Sequence, residues 1–304
     1  MHGEVELCEV IPSAPAAGWD AVFSASGGIA MRQHTQKGEM LAQAVGIPYE
    51  SANRYKVGIL PEGRAVKTRP DDAAGWAPSG EELEALAEFF YVQEESSCFT
   101  RCLASYCGCG NLRPLKLHFH VNGVGEVMHV KRPFKLGGHC CCPLKMDVFQ
   151  GAPIPDGAMG AAIPIGRVRE DFDNYCTRCC QMCWKCTSYH AIERALGDGM
   201  FEKRYTLRAN LACCGSHSNC CGATCCKSDA VFDILDADGC VVANLQKTYA
   251  PAGGCMDGAL CRMCNLFSNY TLSFPRESTA EERMLILVSM FQIDYQFFEK
   301  KGNS

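Results

Sequence analysis

Apolar and polar residues alternate strictly through the middle of the chain. In "LKLHFHV" (115–121), Leu115, Leu117, Phe119 and Val121 fall on one side and Lys116, His118 and His120 on the other, the period of a half-buried strand. Asn122-Gly123 then turns the chain into "GEVMHV", which predicts a hairpin. "AVFDIL" (230–235) repeats the pattern, meets Asp236-Ala237-Asp238-Gly239 and returns as "CVVANLQ", a second hairpin. Further strands are expected over 52–60, 144–149, 163–169, 204–211 and 269–274. Their short spacing, with turn residues between them, favours an all-β sandwich or barrel over βαβ units.

Three stretches depart from this period. Residues 12–30 are rich in Gly, Pro and small side chains, and residues 1–34 read as a flexible arm, with a short helix compatible with 31–45. Residues 61–80 carry three prolines and three glycines and read as a long loop or insertion. Near the C-terminus, "STAEERMLILVSMFQIDYQFFEKK" predicts a helix: Ser278–Glu281 and Thr279–Glu282 can each form a capping box, and Lys300 and Lys301 suit the far end of the dipole. From Met284 to Phe298 this helix is apolar on nearly every side, through Met284, Leu285, Leu287, Val288, Phe291, Phe297 and Phe298. It must be surrounded by protein or by lipid. Spanning a bilayer takes about 20 apolar residues. This stretch is shorter and contains Asp294, Gln292 and Gln296, so the expectation is a helix buried in protein, its polar residues meeting partners near a mouth. Arg276 and Arg283 before it balance Lys300 and Lys301 after it, leaving no positive-inside bias.

Composition narrows the partners. The net charge of −5, with no basic run longer than two residues, argues against nucleic acid. No Ser-His-Asp order, nucleotide loop or HExxH motif appears, His118 and His120 sit on the polar face of a strand, and no catalytic constellation is expected. The 23 cysteines are the anomaly. "MHGEVELCEVIPS" reads without a basic and then apolar leader, so the thiols are expected to be reduced. In "GHCCCP" a strand would alternate faces, so Cys140, Cys141 and Cys142 cannot all point inward. They pack as small hydrophobes, or at least one is exposed and serves as an S-acylation site. "CTRCCQMCWKC" (176–186) holds three CxxC pairs among Cys176, Cys179, Cys180, Cys183 and Cys186, a spacing suited to zinc, alone or shared with 213–226. Its iron–sulfur reading fails where His190 replaces the fourth cysteine. Acylation of this segment stays open.

Several motifs in order resemble the phospholipid scramblase family: "RYKV" (54–57), "CFTRCLASYCGCG" (98–110), "VKRPFKLGGHCCCP" (130–143), "PIGRV" (164–168), "DAVFDI" followed by "GCVVANLQK", and "FSNYTLSFP" leading into the C-terminal helix. The resemblance implies a mainly β fold, a closed antiparallel barrel of about twelve strands, Tubby-like, enclosing the hydrophobic helix. It implies a barrel domain over 35–300 with a Cys-rich insertion at 176–202 and a tail at 301–304. It also implies energy-independent movement of phospholipids between leaflets, palmitoylation, and attachment to the cytoplasmic face of a membrane, the plasma membrane first. The alternatives are a membrane-attached lipid-binding or regulatory adaptor and a zinc-dependent interaction module. Two departures qualify the resemblance. The family's acylated cluster continues past the proline, where this chain has Leu144 and Lys145. The family's Ca²⁺ loop before the helix has acidic positions that fall here on Leu266 and Ser268, and only Glu277 keeps a carboxylate. Since Ca²⁺ takes six or more oxygens, a weak site is expected.

Overall fold

A computed structural model describes residues 18–34, 53–96, 114–134, 143–153, 163–174, 176, 187–210, 229–248 and 269–298. Twelve strands follow in chain order: β1 (Gly28–His34), β2 (Arg54–Ile59), β3 (Phe90–Glu95), β4 (Leu115–Val121), β5 (Gly125–Arg132), β6 (Lys145–Gln150), β7 (Gly166–Glu170), β8 (Thr187–Gly197), β9 (Met200–Asn210), β10 (Ala230–Leu235), β11 (Val241–Thr248) and β12 (Asn269–Ser273). Each pairs antiparallel with its neighbour in sequence. Gly28–Arg32 of β1 pair with Ser273–Asn269 of β12 and close the barrel. The expected fold class is therefore the observed one, and closure removes every sheet edge.

Period-2 alternation decides which side chains face in. Leu115, Leu117, Phe119 and Val121 of β4 are buried while the residues between them are not, and both hairpins turn where the sequence places them. The inward rows close around a helix, α3 (Ala280–Ile293), which continues as a π-helical turn, Asp294–Phe298. Thr279 and Glu282 form the capping box that starts α3, whereas the Ser278 hydroxyl bonds Pro275 O at 2.6 Å. Every residue from Glu282 to Tyr295 is buried. Leu285, Ile286, Leu287, Val288, Met290, Phe291 and Ile293 are 0% exposed, so the apolar girdle is met by protein. Contact is close enough that a Cβ on Gly166 would lie 2.7 Å from Leu285 and 2.4 Å from Glu193 O. Only glycine fits there.

Two expected boundaries move. Of the arm read over 1–34, residues 18–34 belong to the barrel: α1 (Trp19–Ala25) precedes β1, and Met31–His34 are strand rather than the start of a helix. Phe23 is fully buried, 5.3 Å from both Phe90 and Phe274, and Arg283 binds Phe23 O and Ser26 O at 2.8 and 2.7 Å. The small residues here serve close packing, since a Cβ on Gly28 would meet Leu272 O at 2.3 Å. Likewise the insertion read over 176–202 ends early, because Thr187–Gly197 is β8 and β9 begins at Met200. Its inward row, Ser188, His190 and Ile192, is too polar to announce a strand. The loop expected over 61–80 is present, runs into a short helix, α2 (Gly80–Ala85), and lies over β11, with Lys67 N donating to Gln246 Oε1 at 3.0 Å.

Candidate functional site

In a closed antiparallel barrel, alternate connections lie at alternate ends. The β1–β2, β3–β4, β5–β6, β7–β8, β9–β10 and β11–β12 connections therefore share one end, and α3 runs towards it. All but two of the 23 cysteines, Cys8 and Cys240, fall in sequence between strand ends at this mouth.

The inward rows turn polar here. Phe90 and Val92 lead to Glu94 on β3, Met128 and Val130 to Arg132 on β5, and Gly166 and Val168 to Glu170 on β7. On β11, Ala243 and Leu245 lead to Lys247. All four polar residues are at most 4% exposed. Burial of such groups is tolerable only when they are paired, and the last turns of the helix supply the partners. Asp294 accepts from the Tyr270 hydroxyl at 2.8 Å and the Tyr55 hydroxyl at 3.4 Å, with Lys247 Nζ at 3.8 Å. Lys247 Nζ also donates to the Tyr270 hydroxyl at 3.2 Å and lies 4.3 Å from the Phe298 ring centroid. Tyr295 donates to Glu94 at 3.0 Å, and Arg132 covers its ring at 5.1 Å. Burial first, then the neighbouring Tyr295, Asp294 and Glu94, hold the Tyr55 hydroxyl well above its ordinary pKa, so it remains a donor.

A second group lies beside the first. Glu170 accepts from Leu144 N and Gln296 Nε2, both at 2.8 Å, and Gln292 Nε2 donates to Leu144 O at 3.2 Å. Burial pushes the Glu170 carboxyl up to about 7 against the two donated bonds. The same cause pushes His190, bonded to Ser188 at 3.0 Å, down to about 3. A carboxyl raised on folding holds its proton longer in the native state, so stability is lost as pH rises from the unfolded value towards 7. Glu170→Gln is accordingly expected to stabilise the protein at pH 8, by up to about 3 kcal/mol on a shift of this size, and to do little at pH 4. Urea melts of both proteins at the two pH values check this. A variant equally or more destabilised at pH 8 would contradict the assignment.

The sequence-predicted residues are distributed unevenly. Met284, Leu285, Leu287, Val288, Phe291, Asp294, Phe297 and Phe298 come together in the barrel, and Gln292 and Gln296 meet partners as expected. Cys140, Cys141 and Cys142, Cys179, Cys180, Cys183 and Cys186, and Leu266 and Ser268 lie outside the described residues. Cys176 is exposed, and Glu277 is exposed in the turn before α3. Among the described residues no three His, Cys, Asp or Glu side chains are grouped to hold a metal ion, and no helix is long and apolar enough to cross a membrane. His118 does more than face solvent: its ring nitrogens meet Glu126 at 2.7 Å and Glu95 at 2.9 Å. Tyr55, Arg132, Lys247 and Tyr270 lie inside motifs that carry the resemblance, but neither they nor Glu94, Glu170 and His190 were expected at this site. Each falls on an inward position of its strand, so alternation could have found all but His190, whose strand is too polar to be read.

The Scramblase family model matches residues 168–300, from β7 through the helix. Phospholipid scramblase 1 of Homo sapiens is 26% identical over 215 residues, which is 70% of this chain and 54% of that protein. Phospholipid scramblase 1 of Rattus norvegicus is 24% identical over 218 residues, 71% of this chain and 51% of the relative. Phospholipid scramblase 4 of Mus musculus is 25% identical over 212 residues, with 69% and 52% covered. The chain spans about half the length of these curated relatives. The resemblance carried by the ordered motifs thus holds.

Proposed function

We propose that this chain is a phospholipid scramblase that moves phospholipids between leaflets in both directions without an energy source, working from the cytoplasmic face of a membrane. The observation that carries this reading is the family match over residues 168–300, the second half of the barrel together with its central helix. The relatives named phospholipid scramblase support the substrate class. Such movement needs no bond made or broken, in keeping with a site that holds helix and barrel together. Because α3 packs the interior, lipid headgroups would pass along the outside of the protein. The test is reconstitution of the purified chain in liposomes with a fluorescent lipid in one leaflet. Exchange no faster than in protein-free liposomes would sink the reading. With Glu277 the one carboxylate kept at the family's calcium loop, activity is expected to respond weakly to Ca²⁺ through this loop. A sharp micromolar dependence abolished by Glu277→Ala would show otherwise.

Attachment is assigned to acyl chains on Cys140, Cys141 and Cys142. A single chain anchors only marginally, so a cluster is the useful arrangement. Replacing all three with serine is expected to remove thioester-linked label and move the protein from the membrane fraction to the soluble one. Unchanged fractionation would remove the anchor from the proposal. Zinc held by four of Cys176, Cys179, Cys180, Cys183 and Cys186 belongs to the same proposal. Its measure is the metal content of protein purified under reducing conditions.

A further inference from the structure

The cluster around Glu170 holds more acceptors than donors. Gln292 is 2% exposed, and its Nε2 is fixed by two acceptors, Leu144 O at 3.2 Å and His190 Nδ1 at 3.5 Å. Its Oε1 is buried and has no hydrogen-bond partner. Gln296 repeats the arrangement: Nε2 donates to Glu170 Oε1 at 2.8 Å, while Oε1 is buried without a partner. The Glu170 carboxylate accepts on both oxygens, the second bond coming from Leu144 N at 2.8 Å. Both unfilled atoms are thus acceptors on the same side of the helix, and a buried acceptor left unfilled is costly.

No cation neutralises the carboxylate. Opposite Glu170 on β8 stands His190, which burial keeps neutral. Lys145 of β6 turns outward to Asp147, Arg169 of β7 turns outward to Glu193 and Asp173, and Lys203 of β9 pairs with Asp171. On the helix, Asp294 faces Tyr270 and Lys247. A buried carboxylate without a counter-charge favours its neutral form, in line with the carboxyl pushed up to about 7. Once protonated it is a donor, and 2.8 Å to the Gln296 amide suits an O–H···O bond as well as an N–H···O bond. The two ends of an amide have nearly the same shape. Half a turn of the Gln296 amide therefore sets its oxygen to accept from Glu170 and puts N–H groups where an oxygen was unfilled.

We propose that Glu170, Gln296 and Gln292 form a proton-sensitive latch between the barrel wall and the end of α3. With the proton bound, one chain of bonds runs from the Glu170 hydroxyl to Gln296 Oε1, from Gln296 Nε2 to Gln292 Oε1, and from Gln292 Nε2 to Leu144 O. Both unfilled acceptors are then filled. Without the proton the interior keeps an uncompensated carboxylate and two bare amide oxygens, so the seam at Leu144 opens to water more often. The folded carboxyl holds its proton above the ordinary value of 4.5, so the latch is tightest in mild acid and loosens as pH rises through about 7. The latch does not depend on the scramblase reading.

Hydrogen exchange of the full chain, read residue by residue by NMR, tests the latch. Protection of the Leu144 N–H, taken against an unstructured peptide at the same pH, is expected to fall about tenfold between pH 6 and pH 8. Protection in β12, across the barrel, should not change with it. Glu170→Gln, whose amide donates as the protonated acid does, should remove the step and keep Leu144 protected at both pH values. The unaltered chain supplies a second reading that needs no variant. With carboxyl-labelled glutamate, the Glu170 resonance should titrate near neutral pH, and the Gln296 side-chain N–H protons should show contacts to Gln292 only on the acid side. Equal Leu144 protection at pH 6 and pH 8, a step that persists in Glu170→Gln, or a Glu170 carboxyl ionised throughout this range overturns the proposal.

Discussion

Removing residues 284–304 is expected to leave a chain that does not fold. The inward rows of the barrel wall face the helix, and nine of its large side chains from Met284 to Tyr295 are at most 3% exposed. At roughly 1.5–3 kcal/mol for each buried large apolar side chain, the deletion withdraws well over ten kcal/mol, against a typical net stability of 5–15 kcal/mol. It would also strand Glu94, Lys247 and Glu170, whose partners in the interior include helix residues. The purified truncation should be aggregated, lack a cooperative melt and be cut readily by protease. A soluble, folded truncation that has merely left the membrane would show that the barrel does not depend on the helix.

The second large effect is expected at Lys247 and Asp294. The two side chains are 2% and 6% exposed and share the Tyr270 hydroxyl. Removing one charge leaves the other without its counter-charge in the interior, so Lys247→Met or Asp294→Leu alone should cost about 3–5 kcal/mol. The double variant Lys247→Met/Asp294→Leu should recover much of that loss, because an apolar pair of similar volume carries no desolvation penalty. Chemical denaturation of the four proteins gives the coupling directly. Additive losses would mean that the 3.8 Å pair is not energetically linked.

Period-2 alternation made β4, β5, β10 and β11 legible in the sequence, and uninterrupted apolarity made α3 legible. Both signals are produced by the burial that holds the fold. β1 and β8 were hidden for physical reasons. Gly28 is small because the backbone of Leu272 crowds it, which resembles a linker, and Ser188 and His190 face a polar part of the interior, which resembles a loop. At the mouth, Asp294 signalled that a partner must exist but not which one. Lys247 was identifiable in principle, two residues after Leu245 on the same face.

Barrel closure sets a schedule for synthesis. Gly28 pairs with Ser273, and the helix that fills the core is made after the last strand. At about 5–20 residues per second, on the order of ten to fifty seconds pass between the emergence of β1 and that of the end of α3. Throughout that interval the inward rows of up to twelve strands have nothing to pack against, and the longest-range pairing carries the largest loop-closure cost. The nascent chain thus presents its apolar surface for longest to whatever binds such surface, and completion of the last turns of α3 starts the clock on native stability.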